Sequence, residues 1–300
     1  MNMKELKIYT VTYDPCGRLP SKDYVPIVAG AEGRDLSGFG GRRRMPDGTI
    51  VPRYVFDNEG ADHISAENPS YSEFTALYWM WKHAEEDVIG EAHYRRFFVK
   101  MTAPEYLAAS LVRDPHEREK LALKRALRRE DIARIFAQGY NAVLPKKTAR
   151  FPAGLYNQYA HCGDPYLLDA AREIVAEDCP EYLRTFDRVM KANEYYLKCI
   201  FVMPRELFRE YMAWMFGIFG RLEERFGTNG EREYAFLGER LMNVWMEQAQ
   251  AEGRLRPKEL YYYNTEIDPL GALKSGRDTE LCVPYAVGKH MESLSRKLGR

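Results

Sequence analysis

The sequence predicts an α/β fold in which a sheet is flanked by helices and the second half of the chain is mainly helical. Residues 7–13 (KIYTVTY) and 25–30 (VPIVAG) are rich in β-branched and aromatic residues, which favour strands. Residues 68–83 repeat their large apolar side chains at helical spacing, and the short apolar run at 87–90 follows as a third strand. Strands that alternate with a helix in this way are typical of the α/β class.

The central helix and the strand after it form one continuous unit. Asn68 is a favourable N-cap, and Pro69 is favourable as the first helical residue. The predicted strand runs into residues 91–96 (EAHYRR), which concentrate ionisable groups. Open α/β sheets bind ligands at the carboxyl ends of their strands, so we expect the functional site there.

Composition excludes several classes of protein. The chain has 300 residues, of which 45% are hydrophobic, enough for the core of one large domain with or without a helical addition. Lys plus Arg and Asp plus Glu both number 44, so no overall basic field favours nucleic acid, and we expect no nucleic-acid partner.

Cysteine usage and hydropathy indicate the compartment. Five cysteines without CxxC or Cys/His ligand spacing argue against a disulfide framework or a structural zinc site and fit a reducing cytoplasm. The first residues lack a secretory apolar stretch, and no apolar run approaches the ~20 residues that a membrane span needs. We therefore expect a cytoplasmic protein with at most peripheral contact with the inner face of the membrane.

The remaining segments are predicted from local pattern. The Gly- and Arg-rich stretch at 35–48 could close over phosphates, but a solvated surface loop is the more common interpretation. Mixed charges at 114–138 indicate a solvated helix rather than an anion site. Strands are predicted at 140–145 and 198–203. Further helices are predicted at 166–177, 181–192, 205–226 and 231–250. No repeat or linker divides the chain, which predicts one catalytic domain over 1–250 and a tail or extension over 251–300.

Two runs of the sequence carry a family resemblance. The pattern YxExTxxYWxWK at 71–82 and the pattern IGxxHYRRxF at 89–98 resemble a bacterial glycosyltransferase family, labelled a domain of unknown function, that occurs in capsular-polysaccharide, exopolysaccharide and lipopolysaccharide loci. Weaker likeness, which includes Arg232, extends the resemblance over residues 5–248. The resemblance implies a GT-A-like nucleotide-sugar-binding sheet, a UDP-sugar donor, by analogy a galactosyl one, and a glycan or lipid-linked acceptor.

The resemblance also implies the site residues. The implied catalytic residues are His93, Arg95, Arg96, Glu73 and Glu239, and the implied donor-binding residues are Tyr13, Gly30, Asp57, Asn68 and Lys82. From the residues alone, the alternative for Glu73 is a purely structural role, because a carboxylate stabilises the N-terminus of a helix. Its functional role would be contact with the acceptor hydroxyl or general base. For Glu239, the simplest interpretation is a structural ion pair with the neighbouring Arg240.

Sugar transfer must stabilise the negative charge of the departing diphosphate. Most GT-A enzymes use a D-x-D metal motif, and this sequence contains none. Two alternatives stay open. His93 with Glu91 or Asp57 could bind Mn²⁺ or Mg²⁺, or Arg95 and Arg96 could neutralise the diphosphate without metal, which we favour. If the strand continues, the two arginines point to opposite faces, and we expect only one to reach the ligand.

Several positions depart from the family pattern, and these leave the preference for donor or acceptor open. The departures are Tyr13, His63, Ser72, Asn141 and Cys199. A non-catalytic glycan or nucleotide-sugar binding protein is therefore the alternative function.

Overall fold

The structure is a computed structural model that describes residues 5–16, 19–39, 43–44, 50–51, 53–147, 153–162, 165–196 and 198–264. The strands within these ranges are β1 (Leu6–Thr12), β2 (Tyr24–Val28), β3 (Arg43–Arg44), β4 (Ile50–Val51), β5 (Val55–Phe56), β6 (Val88–His93), β7 (Arg96–Val99), β8 (Ala142–Pro145), β9 (Phe201–Pro204) and β10 (Pro257–Asn264). The α-helices are α1 (Asn68–Tyr71), α2 (Phe74–His83), α3 (Ala103–Ser110), α4 (Pro115–Arg125), α5 (Arg129–Ala137), α6 (Leu155–Cys162), α7 (Tyr166–Asp178), α8 (Leu183–Met190), α9 (Arg205–Phe226) and α10 (Glu233–Ala251).

One half of the main sheet is parallel. The order β5-β2-β1-β6 joins strands that all run in the same direction, so their carboxyl ends lie along one edge. In the other half, β6 pairs antiparallel with both β7 and β9, while β10 and β8 connect those two strands. Five strands, β6-β7-β10-β8-β9, thus close into a hydrogen-bonded ring, whereas the β5 side of the sheet stays open.

The central strands are buried on both faces, which explains their almost continuous hydrophobic sequence. Tyr9 and Val11 of β1 pack into the cluster formed with α2, α9 and α10. Ile8, immediately before Tyr9, packs on the opposite face with residues of β7 and α5. The helices therefore cover both sides of the sheet and leave its carboxyl edge for the loops.

The predicted mixture of sheet and helices is confirmed. The strands expected at 7–13, 25–30, 140–145 and 198–203 correspond to β1, β2, β8 and β9 with shifted ends, and the late helices correspond to α7, α8, α9 and α10. The expected charged helix at 114–138 is two helices, α4 and α5. Its mixed charges pair at the surface, as Arg125 does with Glu105 at 2.8 Å.

The helix predicted at 68–83 is interrupted, which is a correction. Ser72 has φ 46° and ψ −124°, so α1 ends before it and α2 begins at Phe74. Asn68 is not the N-cap, since it is already the first residue of α1. Its side-chain amide instead donates to the backbone oxygen of Ser72 (2.9 Å) and to Oγ1 of Thr75 (3.1 Å), which bridges the interruption.

The strand predicted at 87–90 is longer than expected. β6 continues to His93 because its pairing with β1 extends that far, and Tyr94 and Arg95 form the turn of a hairpin whose second strand starts at Arg96. The two arginines therefore do not lie on one continuing strand, so the argument from alternating strand faces does not apply to them.

The segment assigned to a tail contributes to the sheet. β10 pairs with β7 and β8, so the sheet extends past residue 250, while residues 265–300 lie outside the described part. Half of the Gly- and Arg-rich stretch, residues 40–42 and 45–48, also lies outside it. None of the helices in the described ranges is long and apolar enough to cross a bilayer.

Candidate functional site

A cluster of charged side chains lies at the carboxyl edge of the parallel strands. β6 and the hairpin after it supply Glu91, His93, Arg95 and Arg96, and the residue before α2 is Glu73. The second half of the chain adds Glu239 from α10, Arg232 immediately before α10 and Lys198 before β9. Each of these eight side chains has an electrostatic interaction with at least one of the others. The predicted catalytic residues therefore lie together in the fold. We call these eight residues the charge cluster.

Ion pairs connect the two halves of the charge cluster. Lys198 Nζ lies 4.0 Å from Glu239 Oε1, and Arg240 lies 3.1 Å from Oε2 of the same carboxylate. Arg232 lies 3.9 Å from Glu73 Oε2. The expected ion pair between Glu239 and Arg240 is therefore present. Glu239 also pairs with Lys198, which is a member of the charge cluster.

Two members of the charge cluster were not predicted as site residues. Lys198 lies in a short segment before β9, where no sequence pattern marks it. Arg232 belongs to the weak likeness to the family, which was the one signal available for it. Both are more than 100 residues distant from His93 in sequence and reach it only because β9 pairs with β6 and α10 packs beside α1.

His93 is a neutral imidazole. Burial, and after it the neighbouring cations Arg96, Arg95, Lys198 and Arg232 in that order of influence, together lower its pKa to about 3. The backbone N–H of Arg95 donates to its Nδ1 at 3.4 Å, which leaves the ring proton on Nε2. At physiological pH, His93 can therefore donate a hydrogen bond but does not carry charge.

Glu91 is a buried carboxyl group. Its exposed fraction is 2%, and burial followed by repulsion from Glu73 raises its pKa well above the ordinary value, against the opposing effect of Arg96. Its Oε2 has no hydrogen-bond partner among the described residues. A buried polar atom of this kind is costly unless a ligand or water pairs with it.

Glu73 occupies a more open position than Glu91. Its side chain is 16% exposed, and it lies where α1 ends and α2 has not begun. Burial and the charge of Glu239 raise its pKa, while Arg232 and Lys198 act in the opposite direction. A partly exposed carboxylate with a raised pKa is a stronger base than an ordinary one.

The balance of charge in the cluster favours an anion. The charge cluster contains four cations, Arg95, Arg96, Lys198 and Arg232, and the carboxylates of Glu73 and Glu239, while His93 is neutral and burial favours the neutral form of Glu91. Within this set the cations exceed the carboxylates by two, even when both carboxylates are ionised. Guanidinium groups bind phosphate oxygens through a planar fork, so the set is complementary to a diphosphate.

Three of the predicted donor-binding residues support the backbone beside the site. The Asp57 carboxylate is fully buried and accepts hydrogen bonds from the N–H of Gly30 (2.7 Å), from the N–H of Ala31 (2.9 Å) and from the hydroxyl of Ser65. Gly30 has φ +65°, and a Cβ there would lie 2.5 Å from Cγ of Asn68. These contacts fix the loop after β2.

Tyr13 and Lys82, the other two predicted donor-binding residues, lie in different surroundings. Tyr13 follows β1 and borders the charge cluster, since burial and then Glu73 raise its pKa. Lys82 lies on α2, pairs with Asp62 at 3.5 Å and lies over the ring of Trp81 at 4.0 Å.

Two observations on the residues that the structure describes bear on the metal alternative. No group of three or more His, Cys, Asp or Glu side chains there is arranged to hold an ion. Asp57 directs both carboxylate oxygens at groups of the chain.

Residues 7–250 match the family described as a domain of unknown function, DUF4422. This chain belongs to the DUF4422 family. The match includes every residue of the charge cluster, whereas β10 lies beyond it.

A solved structure similar to this DUF4422 chain is that of the WbbM bifunctional glycosyltransferase in its apo form. The TM-score is 0.69, the sequence identity is 28%, and the match covers 88% of this chain and 46% of that one. The chain thus spans about half the length of that glycosyltransferase. A comparison with curated proteins found no match.

Proposed function

We propose that this DUF4422 chain is a glycosyltransferase that transfers a sugar from a UDP-sugar to a glycan or lipid-linked acceptor in the synthesis of a surface polysaccharide. The observation that carries the proposal is the excess of cations at the carboxyl edge of the parallel strands, next to a carboxylate whose pKa is raised. The similarity to WbbM supports a glycosyltransferase. A galactosyl donor and a location on the cytoplasmic side of the membrane belong to the same proposal.

The cations account for departure of the diphosphate. Among the cations, Arg96 has the largest electrostatic effect on His93, followed by Arg95 in the turn and then by Lys198. We assign Arg96 and Lys198 to the diphosphate. In the proposed complex they neutralise the two phosphates as the bond between the anomeric carbon and the diphosphate oxygen breaks. His93 donates its Nε2 proton in a hydrogen bond to the same group. Preorganised donors and charges of this kind lower the barrier because they are in position before charge develops.

Glu73 accounts for activation of the acceptor. The acceptor hydroxyl transfers its proton to the Glu73 carboxylate while its oxygen forms the new bond to the anomeric carbon. The products are the extended glycan and the nucleoside diphosphate, with the proton held on Glu73 until it passes to solvent. The raised pKa of Glu73 favours this exchange, because it makes the carboxylate a stronger base.

The proposal is tested by measuring release of UDP from a panel of UDP-sugars with galactose-containing disaccharides as acceptors, in EDTA and in Mn²⁺. Release that depends on the acceptor and persists in EDTA is expected. Stabilisation by UDP without turnover of any donor would instead support the non-catalytic binding protein. Activity only in Mn²⁺ would contradict the assignment of charge neutralisation to the arginines.

A further inference from the structure

An exposed aromatic ring lies at the border of the charge cluster. Phe236, in the first turn of α10, is 39% exposed. The guanidinium carbon of Arg232 lies 5.3 Å from the centroid of its ring. The same guanidinium lies 3.9 Å from Glu73, so one cation contacts both the exposed ring and the proposed base.

Arg232 is held firmly in this position. Its Nε–H donates to Oγ of Ser72 at 2.8 Å, and its backbone N–H donates to the oxygen of Pro69 at 2.9 Å. Arg232 and Ser72 are the non-glycine residues with positive φ in the described chain, at 60° and 46°. Such backbone conformations persist only where their surroundings fix them. The guanidinium is therefore a preorganised donor, although its side chain is 55% exposed.

A sugar ring has the chemistry that this surface recognises. Its C–H face is apolar and packs on an aromatic ring, and its rim of hydroxyl oxygens accepts hydrogen bonds from a guanidinium. Exposed aromatic side chains supply large contact area at low cost in conformational entropy.

We propose that Phe236 and Arg232 bind a sugar ring of the acceptor and direct its hydroxyl at Glu73. This inference rests on the proposed function, because it assigns the acceptor side of the same site. The donor, in contrast, would contact Arg96 in the hairpin after β6 and Lys198 before β9. The two substrates would thus approach the base from different structural elements.

The chain offers a matched control. Phe226, at the end of α9, is 50% exposed and has its ring against that of Tyr166 at 5.4 Å. Replacing either phenylalanine removes a similar exposed ring, so a general loss of apolar surface would affect both variants alike.

The test compares Phe236→Ala, Phe236→Tyr and Phe226→Ala in steady-state transfer. We expect Phe236→Ala to raise the KM for a galactose disaccharide acceptor about ten-fold and to leave the KM for the UDP-sugar unchanged. Hydrolysis of the UDP-sugar without acceptor should also be unchanged. Phe236→Tyr should restore the acceptor KM, and Phe226→Ala should match the wild type. An unchanged acceptor KM in Phe236→Ala, or an equal loss of donor hydrolysis, would overturn the inference.

Direct binding separates this inference from the proposed function. Calorimetric titration with methyl hexosides and galactose disaccharides should show binding that Phe236→Ala loses and Phe226→Ala retains. If the wild type turned over no nucleotide sugar but bound these glycans through Phe236, the proposed function would fail and sugar binding by Phe236 would stand. If the wild type turned over a nucleotide sugar and Phe236→Ala bound glycans equally well, the proposed function would stand and the inference would fail.

Discussion

The backbone N–H of Arg95 donates a hydrogen bond to Nδ1 of His93 at 3.4 Å, and this contact fixes the tautomer of a buried, neutral ring. The hairpin turn thus determines which nitrogen carries the proton. His93 is presented as a donor through Nε2, which distinguishes it from a general base that would need to titrate near neutral pH.

His93 should not titrate between pH 5 and 8. Its pKa of about 3 lies below that of the unfolded chain, so the unfolded state binds a proton between pH 6.5 and 3 that the folded state does not. This residue should therefore lower the stability as the pH falls through that window. NMR of the imidazole carbons measures the titration. For activity, His93→Gln keeps a donor and should retain more kcat than His93→Ala, which should lose about 10²-fold. An imidazole that titrates near pH 6.5 would contradict this account.

Replacing Glu91 with Gln should change how stability depends on pH. The raised pKa means that the folded state retains a proton which the unfolded state releases above about pH 4.5. The wild type thus loses stability as the pH rises through the folded pKa, and a neutral amide removes this loss. The melting temperature of Glu91→Gln relative to wild type should rise between pH 5 and 8, by roughly 2–4 °C for each kcal/mol. A constant difference across that range would show that the carboxyl is ionised throughout.

The two arginines of the hairpin should respond differently to replacement by Lys. Arg96 influences both His93 and Glu91, whereas Arg95 lies in the turn with its guanidinium over the ring of Tyr94 at 4.4 Å. We expect Arg96→Lys to lower kcat/KM for the donor about 10²-fold, because the planar fork is lost, and Arg95→Lys to lower it by less than ten-fold. Steady-state kinetics on the UDP-sugar measures both. Equal tolerance at the two positions would rule out a phosphate clamp.

Asp57 should behave as a structural residue. Asp57→Ala leaves two backbone N–H groups and a hydroxyl unpaired in a buried place, which should destabilise the protein by about 3–5 kcal/mol. Chemical denaturation measures the loss, and kcat per folded molecule should stay within a few-fold of wild type. Loss of kcat without loss of stability would assign Asp57 to the chemistry.

The first half of the site could be predicted from the sequence for a physical reason. Residues 91–96 follow a buried strand, and parallel strands end at a common edge, so His93 and its neighbours had to lie there.

The interruption at Ser72 could not be predicted, because a serine with positive φ is held by tertiary contacts with Arg232. Lys198 and Arg232 were missed because β9 and α10 bring them from distant sequence. β10 was missed for the same reason, since its partners β7 and β8 precede it by more than 100 residues.

The central claim is that Glu73 accepts the proton of the acceptor beside a cationic diphosphate site. The most direct measurement is acceptor-dependent release of UDP by wild type and by Glu73→Gln, each at saturating donor. The account predicts that Glu73→Gln loses at least about 10²-fold in kcat while UDP still stabilises it against heat as it does the wild type. Full transfer activity in Glu73→Gln would contradict the account.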